Sequence, residues 1–354
     1  MINFIMPKIF LVIFILQEHM GFNLKMVHLL QVQIKGEHKM EMKQLLISVN
    51  ILLFFIVGCG GDSGRATQSV LPTPPEVIYT PGEVITDSQG YVSYRVGNTP
   101  IIITVPHDGT IEPSTLPDRN GEITRAVNTR KLAEQFAYFF NKNSNGLFPH
   151  IIYNNLSRTK LDPDLNLTDG AQGNSSANKT YGNYHGFLQT AIDTVEANFD
   201  SGILLNLVEH THSRQRVELG YLLTEYNLSQ TDAQLNSFAS NSSILQLSVL
   251  SSSSFAEIIR GYSSLGSLII SDGQFDVVPT MENPNVNGED YISGGYTLTT
   301  YGSHNLSTNQ INAINVATPY AGFRDNANTY RAFAVILERS VKNFYESNLG
   351  LTLY

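Results

Sequence analysis

The chain has 354 residues, 42% hydrophobic and 15% charged, which is enough apolar side chain for a sizeable core and too much for disorder throughout. Its 31 acidic residues against 22 basic ones leave a formal charge of −9. No cluster of Lys and Arg offers itself to phosphates, so nucleic acid is excluded as a partner. A single cysteine rules out both an internal disulfide and a thiolate zinc site.

In chain order, the first feature is a doubtful extension, residues 1–41, carrying an apolar run at 2–16 with Lys8 inside it. A signal peptide begins a chain rather than following another hydrophobic segment, so the expected true start is Met40 or Met42. A real N-terminal anchor is the alternative, and it leaves Cys59 unprocessed. Residues 42–58 read as a lipoprotein signal peptide: Met42, Lys43 and Gln44 form a charged start, and residues 45–57 are apolar except for Ser48 and Asn50. Ile56-Val57-Gly58-Cys59 closes the run and resembles a bacterial lipobox. The run is short of the roughly 20 residues that span a bilayer and suits a signal peptide instead. Cleavage before Cys59 and lipidation of its thiol are therefore expected, with the membrane as partner through that anchor. The alternative is a buried core cysteine after a short hydrophobic helix. Residues 59–85 then form a tether, flexible over Gly60, Gly61 and Gly64 and stiffened by Pro72, Pro74, Pro75 and Pro81. With no aspartate after the cysteine, the expected location is the cell envelope at the outer membrane.

Residues 86–350 read as one domain. The β-branched run 101–105 suits a strand buried on both faces, and residues 129–141 place Leu132, Phe136 and Phe139 or Phe140 at helical spacing. Strand-like 151–153, helical 177–199, apolar 203–208 and strand-like 217–223 continue the alternation. A helical stretch at 255–260, a strand at 276–279 and an amphipathic helix at 331–345 close it, the last through Phe333, Ile336, Leu337, Val341 and Phe344. The pattern predicts an α/β fold, a mixed central β-sheet flanked by helices in a single domain.

The chemistry falls at strand ends. His107 in Pro106-His107-Asp108-Gly109 emerges from the strand at 101–105, at the carboxyl edge where α/β sheets hold ligands. A satisfied turn histidine and a metal ligand are equally open readings of these four residues. Arg158 and Lys160, with Asp162, follow the next strand and offer charges for a carboxylate-bearing ligand, or form a surface salt-bridge cluster. His210 and His212 share one side of an extended segment and make a plausible metal pair, with Glu209 pointing to the opposite face. His185, within 177–199, reads as a core histidine.

The ordered set Pro106-His107-Asp108-Gly109, Arg158-Thr159-Lys160-Leu161-Asp162, Tyr184-His185, Arg216-Val217-Glu218-Leu219-Gly220, Ile259-Arg260-Gly261, Gly294-Gly295-Tyr296 and Arg324-Asp325 resembles N-formylglutamate amidohydrolases. The resemblance covers about residues 101–345. It implies a phosphorylase/hydrolase-like, zinc-carboxypeptidase-like fold in which one zinc activates water to cut the amide of a small acidic substrate. It also adds Arg260 to Arg158 and Lys160 as substrate-binding candidates.

The departures from that family matter as much. Where it presents a histidine ligand, an acidic ligand and a general base, this chain has Val208, Ala126 and Ala317. An arginine expected to bind substrate carboxylate falls on Leu165. A catalytic zinc takes three protein ligands, and a missing base costs roughly 10²- to 10⁴-fold. Two readings follow. In the first, the chain is a degenerate homologue that needs no cofactor and binds a small acidic or peptide-like ligand or a protein partner. In the second, it is an active amidohydrolase with a rebuilt zinc site of His107, His210 and His212, and Glu209 or Glu112 as base.

Overall fold

The computed structural model describes residues 79–354 apart from 272, 305, 307 and 308. The signal peptide, Cys59 and the extension therefore lie outside the described residues. The folded part starts ahead of residue 86, because β1 (Val84–Thr86) lies inside the stretch read as tether. It pairs antiparallel with β2 (Val92–Arg95) across a turn in which Asp87 Oδ1 accepts from Tyr91 N at 2.7 Å. The far end also passes the expected boundary, since Leu353 is buried.

The centre of the molecule is the parallel set β3 (Ile101–Val105), β4 (His150–Asn154), β5 (Gly202–Glu209) and β8 (Ile311–Thr318). With β6 (Val217–Gly220) and β7 (Val277–Val278), the sheet has eight strands in the order β1-β2-β4-β3-β5-β8-β6-β7. β2 and β6 run antiparallel to their inner neighbours, so the sheet is mixed. Being covered on both sides, β3 is apolar at nearly every position and buried throughout.

Alternation along the strands sends their residues to two cores. Ile101, Ile103 and Val105 pack with Leu132, Phe136 and Phe140 of α1 (Thr129–Asn143) and with the last helix, α10 (Ala327–Leu349). Ile102, Ile152 and Leu204 pack against Tyr184, Leu188 and Val195 of α3 (Ser175–Asn198) on the other face. Helix α2 (Leu167–Ala171) precedes α3. The long connection after β6 carries α4 (Glu225–Leu228), α5 (Asp232–Leu235), a 3₁₀ turn (Asn236–Asn241), α6 (Leu245–Leu250), α7 (Phe255–Arg260) and α8 (Leu265–Ile270). Helix α9 (Tyr296–Tyr301) lies between β7 and β8.

The heptad-like choice between Phe139 and Phe140 resolves to Phe140, which is fully buried, with Phe139 packed at the margin. The strand predicted over 217–223 stops at Gly220. There the segment around Ile292 and Ser293 crosses so closely that an added Cβ would stand 2.6 Å from Ile292 O. Leu222 turns to φ 62 and donates its N–H to Ser293 O at 2.7 Å, which ends the strand.

Because α1 leaves β3 toward one core and α3 leaves β4 toward the other, the exits of two adjacent parallel strands diverge. Their carboxyl ends are the usual ligand position in such sheets.

Candidate functional site

Pro106-His107-Asp108-Gly109 turns out of β3 and is clamped to the exit of β4. Thr110 N and Ile111 N both donate to Asn155 O at 3.0 Å, and Gly109 lies so near Leu156 O that a Cβ would meet it at 2.0 Å. Only glycine fits that approach. Asp108 serves α1: its Oδ2 accepts from Arg130 N at 2.8 Å, and its Oδ1 pairs with Arg125 at 2.7 Å. A carboxylate on the first N–H groups of a helix stabilises its positive end.

His107 is left facing inward, with 5% of its side chain exposed. Its Nε2 lies 2.9 Å from Asp162 Oδ1, and its Nδ1 faces Glu209 Oε2 at 3.5 Å. That second separation is an ion-pair distance rather than a hydrogen bond, and neither atom has another partner. Arg158 joins the same two carboxylates, through Nε to Asp162 Oδ2 at 2.9 Å and through one terminal nitrogen to Glu209 Oε1 at 2.5 Å. Three neighbouring strand ends thus supply a closed box: β3 gives His107, β4 gives Arg158 and Asp162, and β5 gives Glu209.

The box sets its own protonation. Burial by itself lowers the pKa of His107, but Asp162 and Glu209 together outweigh it and carry the imidazole up to about 10. Burial raises Asp162, yet His107 and Arg158 hold its carboxyl well below the usual range. Glu209 behaves likewise: burial pushes it up, and His107, then Arg158, bring it below its ordinary value. At neutral pH the box is two cations against two anions.

Behind it, on the α3 face, runs a polar ladder that sequence reasoning missed. Thr104 Oγ1 donates to Asn206 Oδ1 at 2.8 Å, and Asn206 Nδ2 donates to Asn315 Oδ1 at 2.9 Å and to Asp164 Oδ2 at 3.0 Å. Asp164 Oδ1 also accepts from Thr297 N at 2.9 Å, while burial raises its pKa. The signal was a buried polar residue in each of three largely apolar strands, Thr104, Asn206 and Asn315, which pair at one rung.

The three histidines expected to share a zinc do not come together. His210 and His212 gather with Glu218 of β6, their potential ligand atoms all within 4.8 Å of one another, and His107 is not of that group. His210 Nε2 lies 2.8 Å from Arg216 O, and His212 Nδ1 lies 3.0 Å from Glu218 Oε1. Glu209 does face away from both, as the strand alternation required. Nor do the three substrate-binding candidates converge. Arg158 is in the box, and Lys160 bonds Leu116 O at 2.8 Å and Asp118 at 2.6 Å. Arg260 instead staples the α4–α5 connection through Asp232, Leu228 O and Gln230 O. Glu112 is exposed and accepts only from Thr159 Oγ1 at 3.4 Å. His185 is packed among Tyr181, Tyr184, Tyr296 and Tyr301, with Nδ1 2.7 Å from Tyr301 Oη; burial lowers it to about 4.

The positions where the resemblance expected ligands are placed as follows. Ala126 N donates to His107 O at 3.0 Å, so that position is beside the histidine. Val208 and Ala317 are cross-strand partners, but it is Glu209, one residue on, that reaches His107. A zinc ion finds two unpartnered donors here, His107 Nδ1 and Glu209 Oε2, where a catalytic ion takes three protein ligands. The residues of the box do not fit it.

Two solved structures resemble this fold. One is the N-formylglutamate amidohydrolase of Ralstonia eutropha JMP134, with a TM-score of 0.43 and 11% identity over 73% of this chain and 99% of that one. The other is a gene product of Agrobacterium tumefaciens, with a TM-score of 0.43 and 12% identity over 73% of this chain and 95% of that one. No family model matches the sequence, and no curated protein matches it.

Proposed function

We propose that this chain is a lipid-anchored, catalytically silent binding protein that takes a small acidic or peptide-like ligand at the carboxyl edge of β3, β4 and β5. One observation carries the reading: both ring nitrogens of His107 face carboxylates that Arg158 also bridges. Each ring nitrogen is thus turned to a carboxylate of the box, and only two electron-pair donors, His107 Nδ1 and Glu209 Oε2, are left over where a catalytic ion takes three protein ligands. The box has the donors of a hydrolase edge but spends them on one another.

Arg158 supplies the contact for a ligand. Its Nε and one terminal nitrogen serve Asp162, Glu209 and Thr124 O, while the other terminal nitrogen makes no hydrogen bond among the described residues, and 12% of the side chain is exposed. A guanidinium nitrogen left over in this way suits a carboxylate. The anchor rests on the lipobox grammar around Cys59.

Two experiments test the reading with the full-length chain. N-acylated acidic amino acids and short acidic peptides are titrated calorimetrically and assayed for amide cleavage with and without added zinc. Binding without cleavage is expected, with affinity reduced about tenfold or more in Arg158→Lys, which keeps the charge but loses the fork. Zinc-dependent cleavage abolished by His107→Ala overturns the reading and restores the hydrolase. Separately, Cys59→Ser is expected to move the protein from the membrane fraction to the soluble fraction; retention at the membrane refutes the anchor.

A further inference from the structure

Away from the His107 box, the connection from β5 to β6 brings two imidazoles and a carboxylate together. The geometry points to a second, independent site: we propose that His210, His212 and Glu218 bind one borderline divalent transition metal such as zinc, tying the end of β5 to β6.

Two of the three side chains, His210 and Glu218, are held from behind by the backbone. His210 Nε2 can only donate to Arg216 O, 2.8 Å away, which fixes the tautomer and leaves Nδ1 with its lone pair toward the cluster. That Nδ1 accepts nothing stronger than the His212 N–H at 3.3 Å. Glu218 is fully buried, and its Oε2 accepts from Ile292 N at 2.9 Å, so the carboxylate is oriented before any ion arrives. A ring N–H given to a carbonyl and a carboxylate gripped by an amide are the outer contacts that position metal ligands. The rings of His210 and His212 are 4.9 Å apart and tilted by 35°, and 23% of the His212 side chain is exposed, so an ion enters from that side.

Ligand atoms within 4.8 Å close to the spacing of a tetrahedral site by a shift of about an ångström, given metal–ligand bonds near 2 Å. Two imidazoles favour zinc, nickel, cobalt or copper over calcium or magnesium. The ion takes the place of the hydrogen bond between His212 Nδ1 and Glu218 Oε1 at 3.0 Å, the imidazole keeping its one proton on Nε2. Arg216 is the opposing charge: its Nε lies 3.7 Å from Glu218 Oε1, while its terminal nitrogens are engaged by Glu289 and Asp290 O. Glu218 is therefore shared between the guanidinium and the ion.

The test uses the full-length chain, stripped with chelator and titrated with zinc alone. One equivalent is expected to bind, read from the calorimetric stoichiometry. His212→Ala is expected to weaken binding by more than about 100-fold, beyond the loss of an outer contact, and Glu218→Gln to weaken it while preserving shape. Cobalt in place of zinc is expected to show the visible bands of tetrahedral nitrogen and oxygen ligation, absent in His212→Ala. The metal-free variants are first shown to be folded by circular dichroism, which separates loss of site from loss of fold. His107→Ala is expected to leave zinc binding intact. No stoichiometric binding, binding that survives His212→Ala, or binding abolished by His107→Ala overturns the proposal. The site does not depend on the ligand-binding reading, whose failure appears as amide cleavage rather than as a change in metal affinity.

Discussion

At the scale of the residue, His107 decides what the carboxyl edge does. Its pKa is raised to about 10 from an ordinary value near 6.5. The stability it contributes is therefore complete below about pH 6.5 and lost as the pH rises through about 10. Asp162 and Glu209 are depressed, so their contribution is present above the ordinary carboxylate value and lost as the pH falls below it. Urea midpoints measured from pH 5 to 10 are expected to fall over the alkaline part of that range in the wild type and to flatten there in His107→Gln. The same substitution leaves buried carboxylates short of a partner and is expected to cost about 3 kcal/mol or more at pH 7. A midpoint unchanged by it would mean the ion pairs contribute nothing. His107, Arg158 and Glu209 were all visible in the sequence as strand-end charges. Their closure into one box was not, because it depends on which strands become neighbours: β3 stands between β4 and β5, a placement the order of elements along the chain does not state. The resemblance put an expected histidine ligand at Val208, whereas Glu209 is what reaches His107, and a shift of one residue along a strand moves a side chain to the other face.

At the scale of the element, the turn after β3 is what presents the histidine. Gly109 sits against backbone that cannot retreat, because Leu156 O belongs to the exit of β4. Gly109→Ala is expected to destabilise the fold by at least about 3 kcal/mol in urea titration, overpacking against main chain being harder to relieve than against a side chain. An unchanged midpoint would show that the two exits are not locked together. Elements with a continuous periodic signal were legible: the strand at 101–105 and the helix at 255–260 match their predicted limits, and the closing helix extends the predicted 331–345 to Ala327–Leu349. Its added first turn is explained by Asn326, whose side chain accepts from Asn328 N and Thr329 N. β1, β2 and, α7 apart, the short helices between β6 and β8 escaped because three to six residues seldom carry a readable period.

At the scale of the whole molecule, the α/β class and the single mixed sheet were legible because buried parallel strands and amphipathic helices alternate strongly along the chain. The order of those strands was not, and neither was the separation of the two titratable clusters. The sheet also ends in a particular way: three residues of β1 at one margin and two of β7 at the other. A margin that short offers a second chain almost no run of free N–H and C=O groups to zip onto. Two such molecules meeting rim to rim therefore find little along which to stitch into a continuous ribbon.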